Sequence, residues 1–181
     1  MSRPLVIDAS VGIGCIGLEP WSERAKAVIV ERVAAGIVVP RHFWLEIVNV
    51  LARRYGHTGQ EIIEAVHELD DSQIQTIESD RAALLLVIDL VERHGLTAYD
   101  AEYLALALRT DADLATADRQ LALAAGDRAI LFGPQEGIAE ARAAYRTNEV
   151  TWPEWPAAGA YLAELRADAI RAMREEQSSP A

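Results

Sequence analysis

Short apolar runs that stop at capping or turn residues alternate with longer amphipathic stretches from Leu5 to Phe132. The runs are 5–7, 37–39 (halted by Pro40), 73–77, 113–116 and 129–132. Between them, apolar residues recur at helical intervals over 22–35, 41–54, 60–69, 80–94 and from Leu96 onward. Strands that alternate with helices in this way build βαβ units, so the pattern predicts an α/β domain with a parallel sheet. Gly36, Gly95 and Gly126 stand where helices should close. There is no internal repeat and no low-complexity tract.

The stretch 96–121, LTAYDAEYLALALRTDADLATADRQL, shows the logic at its clearest. Thr97 is placed to cap a helix, with Asp100 three residues on in capping-box spacing. Ala101, Leu104, Ala105 and Leu108 form the expected core stripe. Residues 113–116 are then a strand, and Asp118 falls where the next helix begins. In an open parallel sheet, the carboxyl end of a strand and the start of the following helix line the ligand crevice. Asp8, after the first strand, is an N-cap candidate, and it also faces that crevice. Turning residues 41–54 by 100° each puts Phe43, Trp44, Ile47, Val48, Val50 and Leu51 on one side. Glu46, Asn49 and Arg53 fall on the other. In residues 80–94 the stripe is Ala83, Leu84, Val87, Ile88 and Val91.

Four acids therefore have one address: Asp8, Glu46, Asp100 and Asp118. Taken singly, each is explained as a helix cap or a solvated side chain. Taken together, carboxylates in a cleft need a counter-charge, and hard divalent cations such as Mg²⁺ or Mn²⁺ bind oxygen ligands. Such an ion acidifies water and neutralises a phosphodiester.

Composition narrows the field. The net charge is −11 and Lys26 is the only lysine among 17 basic residues, which argues against a general nucleic-acid coat. It does not argue against a nuclease with arginines around an acidic centre. A single cysteine, Cys15, excludes an internal disulfide framework and fits a reducing, cytoplasmic setting. The amino terminus has no signal-peptide pattern and no apolar run reaches a membrane span. His42, His57, His67 and His94 share no zinc-ligand spacing. The glycine-rich segment 11–20 matches neither phosphate-loop spacing, and it is read as a loop. A phosphoryl-accepting receiver would need a lysine after a late strand. A haloacid-dehalogenase-type phosphatase would need an aspartate where Ser10 stands.

VIDASV, PRHFWLEIVNVLARR, LTAYDAEYLALAL and LATADRQL, in that order, resemble the segments of PIN-domain ribonucleases. Among these they look most like the toxins of VapBC toxin–antitoxin pairs. The resemblance covers roughly residues 1–132. It implies a doubly wound parallel sheet with helices on both faces, and Mg²⁺- or Mn²⁺-dependent cleavage of RNA in the cytoplasm. It also implies a homodimer and a VapB-type antitoxin partner. The family's acidic positions fall on Asp8, Glu46, Asp100 and Asp118, and its supporting hydroxyls on Ser10 and Thr116. On this reading Asp8 and Asp100 hold the metal directly. Asp118 binds it through water or holds a second ion. Glu46 is a further ligand that orients or deprotonates the attacking water, with Asn49 or Arg53 meeting the phosphate. The alternative is a silent PIN-like module that binds RNA or protein without cutting. The family's pattern departs at residues 11–20, where Gly12, Gly14 and Gly17 replace a basic or aromatic residue.

The expected division is a nuclease domain, 1–133, and a helical extension, 134–181. In the extension, 135–146 and 160–176 have helical periods around a loop with Trp152 and Trp155. Its apolar side, including Tyr161, Leu162, Leu165 and Met173, must bury itself on something. Packing on its own domain or at a dimer interface is the plainer expectation. The sharper one is that Trp152, Trp155, Arg166 and Arg171 imitate an antitoxin in cis and cover the acidic site.

Overall fold

The computed structural model describes residues 2–133. The expected extension, residues 134–181, lies outside the described residues. The chain runs β1 (Leu5–Ile7), α1 (Ala9–Cys15), α2 (Ser22–Arg32), β2 (Ile37–Pro40), α3 (His42–Arg53) and α4 (Gly59–Asp70). It continues β3 (Ile74–Ile77), α5 (Arg81–His94), α6 (Ala98–Arg109), β4 (Asp113–Thr116), α7 (Arg119–Ala125) and β5 (Ala129–Leu131).

The five strands form one sheet in the order β3-β2-β1-β4-β5. All four pairings are parallel, with Leu5 beside both Ile37 and Asp113. The chain steps outward from β1 through β2 to β3, then crosses back to β4 and β5 on the other side of β1. The order therefore reverses between β1 and β4, where open α/β sheets hold their ligands. Helices α1–α4 pack among themselves, as do α5–α7. By the right-handed crossover rule the two groups lie on opposite faces. This is the doubly wound α/β fold that the alternation and the resemblance lead one to expect.

Strands covered on both faces must be apolar throughout. Leu5, Val6, Ile7, Ile37, Val39, Leu114 and Ala115 are fully buried, as are Phe43, Ile47 and Leu51 of α3. The first correction concerns residues 9–15, which form a helix and not a glycine-rich loop. Gly12 and Gly14 are poor helix formers, but tertiary packing overrides propensity here, most tightly at Gly12. A Cβ at Gly12 would stand 2.8 Å from Ile47 Cδ1 and from Phe43 Cζ. Only a bare backbone lets α1 lie this close to α3 at the start of the crevice. The second correction concerns stripe edges. Leu84, Ile88, Leu108 and Val48, expected inside, are 56%, 54%, 44% and 39% exposed. The buried faces turn instead on Ala83, Val87 and Leu90 in α5, and on Ala101, Leu104 and Ala105 in α6. Periodicity finds an apolar arc, but the neighbouring helix decides which part of it is covered.

Candidate active site

β1 delivers Asp8 to the switch point. Its backbone N–H donates to Ala115 O, so the residue is still pinned to the end of β4. Its extended backbone makes it the N-cap of α1, and Oδ1 accepts from Val11 N at 3.0 Å. Ser10 Oγ donates to the same oxygen at 2.5 Å, while Thr116 Oγ1 donates to Oδ2. The two hydroxyls also work in the other direction. Ser10 Oγ accepts from Ala117 N, and Thr116 Oγ1 accepts from Asp118 N, both at 2.8 Å. Each hydroxyl thus ties the Asp8 carboxylate to the segment leading into α7. Asp118 caps that helix, its Oδ1 accepting from Leu121 N at 2.7 Å.

A second group assembles where α3 meets α6. Tyr103, buried in α6, donates its hydroxyl to Glu46 Oε2. His42, one turn before Glu46, lies with Nε2 3.7 Å from Glu46 and Nδ1 3.0 Å from Glu102. Its ring packs against Tyr99 and edge-on against Tyr103. Asp100 sits in the first turn of α6, three residues before Tyr103 and so on the same side of the helix. Thr97 caps α6 by accepting from Asp100 N, and its hydroxyl donates to Asp100 Oδ2 at 2.6 Å. The reciprocal bond joins side chain to side chain, a variant of the expected capping box.

Burial pushes the Asp8 carboxyl up to about 6, the largest effect upon it. Hydrogen bonds from Ser10, Thr116 and Val11 oppose this, and the charge of Glu46 adds to it. Burial also raises the Tyr103 phenol, helped by Glu46 and Asp8. Asp8, Glu46 and Tyr103 therefore lie within one another's field. Among the described residues, no arginine or lysine forms a salt bridge with Asp8, Glu46, Asp100 or Asp118.

These facts bear on whether a divalent ion suits the site. Among the described residues no three His, Cys, Asp or Glu side chains converge closely enough to enclose an ion. The donor chemistry does suit a hard cation, because every candidate ligand is a carboxylate. A carboxylate has about four acceptor positions; three are filled at Asp8, and the remaining one is on Oδ2. Asp100 Oδ1, Asp118 Oδ2 and Glu46 Oε1 accept no hydrogen bond from a described residue.

Of the other expected site residues, Ser10 and Thr116 hold Asp8, as described. Asn49 and Arg53 are exposed on the Glu46 side of α3. Sequence reasoning weighed His42 only for zinc spacing and passed over Tyr103, because the partners of both lie on another helix. It also missed Arg54 and Glu19. These two, 3.4 Å apart, line a groove that reaches Ser10 and Asp118.

The PIN domain family model matches residues 5–127. A search of curated proteins gives no match. The fold is similar to the crystal structure of PAE2754 from Pyrobaculum aerophilum, with a TM-score of 0.54 and 22% identity. That match covers 81% of this chain and 98% of the other. It is also similar to VapC20 of Mycobacterium tuberculosis, described as a Sarcin-Ricin loop cleaving toxin. There the TM-score is 0.51 and the identity 15%, over 76% of this chain and 94% of that one.

Proposed function

The chain belongs to the PIN domain family, and from that premise we propose that it is a metal-dependent endoribonuclease acting as the toxin of a toxin–antitoxin pair. The observation that carries this reading is Asp8. A carboxylate buried at the switch point, its pKa pushed up to about 6 by that burial, is more desolvated than capping a helix requires, since Asp118 caps α7 while exposed. Functional sites are where such perturbed acids collect. Mg²⁺ or Mn²⁺, held by Asp8 and Asp100 with Asp118 and Glu46, would supply Lewis acidity at a phosphodiester.

The protein's own part is positioning. Ser10 and Thr116 fix the Asp8 carboxylate in one rotamer by bonding both of its oxygens. Tyr103 keeps Glu46 turned inward and leaves Oε1 to accept a proton from water. Asn49 and Arg53, exposed one and two turns along α3 from Glu46, are placed to meet the phosphate. RNA as the substrate class follows the motifs of the PIN ribonucleases and the description of VapC20. The target of VapC20 itself is not carried over. A VapB-type antitoxin and a second copy of the chain are the proposed partners.

The test is cleavage of a mixed RNA pool with Mg²⁺ or Mn²⁺, with EDTA, and with Asp8→Asn, alongside calorimetric titration of Mn²⁺. We expect metal-dependent cleavage that the variant loses together with ion binding. Full metal-dependent cleavage by Asp8→Asn would refute the assignment. Ion binding and RNA binding without cleavage would mark a silent module instead.

A further inference from the structure

A groove of about 310 Å³ opens beside Ser10 and Asp118, between the start of α1, the 16–21 turn and the end of α3. Its walls are Ile13, Trp21 and Val50, and its polar groups are Glu19 and Arg54 together with Ser10 and Asp118. The indole N–H of Trp21 is buried without an acceptor, so Trp21 offers the groove hydrocarbon alone. Glu19 is the unusual member. Its side chain is only 10% exposed, and Oε1 accepts from Tyr55 Oη at 2.8 Å. Arg54 Nη2 lies 3.4 Å from the same oxygen, and its guanidinium stacks over the Tyr55 ring. Oε2 accepts no hydrogen bond from a described residue. The turn that carries Glu19 is held by Ser22, whose Oγ accepts from Glu19 N and donates to Glu19 O. A carboxylate fixed in an apolar slot, with an oxygen to spare, is an acceptor waiting for a donor.

We propose that this groove receives the nucleobase next to the scissile phosphate, and that Glu19 selects a base that presents N–H donors, guanine above all, over uracil. The proposal rests on the nuclease reading above. Three observations support it. The groove is continuous with Asp118 and Ser10, so a base lying in it belongs to a nucleotide at the cut. Apolar walls beside an aromatic ring and an arginine suit an unstacked base, which single-stranded RNA supplies and duplex does not. A carboxylate only accepts, and guanine places N1–H and its 2-amino group side by side. Uracil offers one N–H flanked by two carbonyls, which the carboxylate repels. Arg54, 67% exposed at the rim, is placed to pair with the flanking phosphate.

The full chain and Glu19→Gln are compared on a randomised RNA pool, with the bases flanking each cut read out. In parallel, guanosine and uridine 5′-monophosphates are titrated while the Trp21 indole resonance, assigned with Trp21→Phe, is followed. We expect guanine to be enriched at one flanking position about tenfold, with that enrichment lost in Glu19→Gln while total cleavage persists. Cleavage without base preference, or preference unchanged in Glu19→Gln, overturns the subsite and leaves the nuclease standing. If no RNA is cut, the nuclease reading fails, and the titration decides the groove. A Trp21 shift with the guanine nucleotide alone, absent in Glu19→Gln, supports the subsite. Equal shifts with both nucleotides, or none, refute it.

Discussion

Asp8 and Asp118 are built to the same local plan. Each follows a parallel strand, β1 or its neighbour β4, and each caps a seven-residue helix by accepting an amide three residues on. Their surroundings differ. Asp8 is 5% exposed, because β1 is the middle strand and α1 is pressed onto α3 through Gly12. Asp118 lies one strand nearer the edge and is exposed. One motif thus places two carboxylates in different dielectrics. The buried one carries a raised pKa from lost hydration. The caps are equivalent as structure, so the contrast separates what capping requires from what chemistry requires.

The largest test of that contrast is Asp8→Asn. If Asp8 holds the ion, cleavage should fall by more than about a hundredfold. Stability should move the other way. The folded-state pKa of Asp8, about 6, is above its ordinary value of 3.8. Its contribution to stability is therefore fully present below pH 3.8 and is lost as the pH rises through 6. Ionising this buried group costs the metal-free fold about 3 kcal/mol. In EDTA, the melting temperature of the wild type should fall between pH 4 and 6 relative to Asp8→Asn, and Mn²⁺ should restore it. Parallel curves for the two proteins would mean that burial puts no strain on the ionised Asp8.

Asp118 should behave as a charge and a cap that can be removed separately. Asparagine caps as well as aspartate, so Asp118→Asn should keep its melting temperature and lose about tenfold in cleavage, the loss expected for a less intimate ligand. Asp118→Ala should lose the cap as well, at a cost of about 1 kcal/mol. Equal activity in Asp118→Asn and the wild type would reduce Asp118 to a cap.

The contrast also marks where the sequence could be read and where it could not. The strand at 113–116 and the caps at Thr97 and Asp118 are local matters, settled by residue type and spacing. The burial of Asp8 is not local. It depends on α1 being a helix despite two glycines, of which Gly12 makes sense only against Phe43 and Ile47, and Gly14 only against Trp21 and Ala25. The exposure of Leu84, Ile88 and Leu108 has the same origin, since the packing of α5 on α6 chooses which apolar residues are covered. The site followed suit. Asp8, Ser10 and Thr116 came from motifs, whereas Tyr103, His42, Glu19 and Arg54 act through partners distant in sequence. No spacing rule links Tyr103 to Glu46.

The smallest effect bears on what joins the two aspartates. Thr116 Oγ1 donates to Asp8 and accepts from Asp118 N, and the residue is fully buried. Thr116→Val keeps the shape and removes both bonds. Losing a bond that favours the charged form should raise the Asp8 pKa further. In EDTA the window of lost stability should then extend above pH 6. Cleavage should fall about fivefold, the equivalent of about 1 kcal/mol for a loosened ligand. Because Asp118 N loses its acceptor at the same time, the double variant Thr116→Val/Asp118→Asn separates the two roles. If Thr116 acts through Asp8, its fivefold loss should persist in the Asp118→Asn background. If it acts through the Asp118 backbone, the losses should merge and the shift in the pH window should be absent.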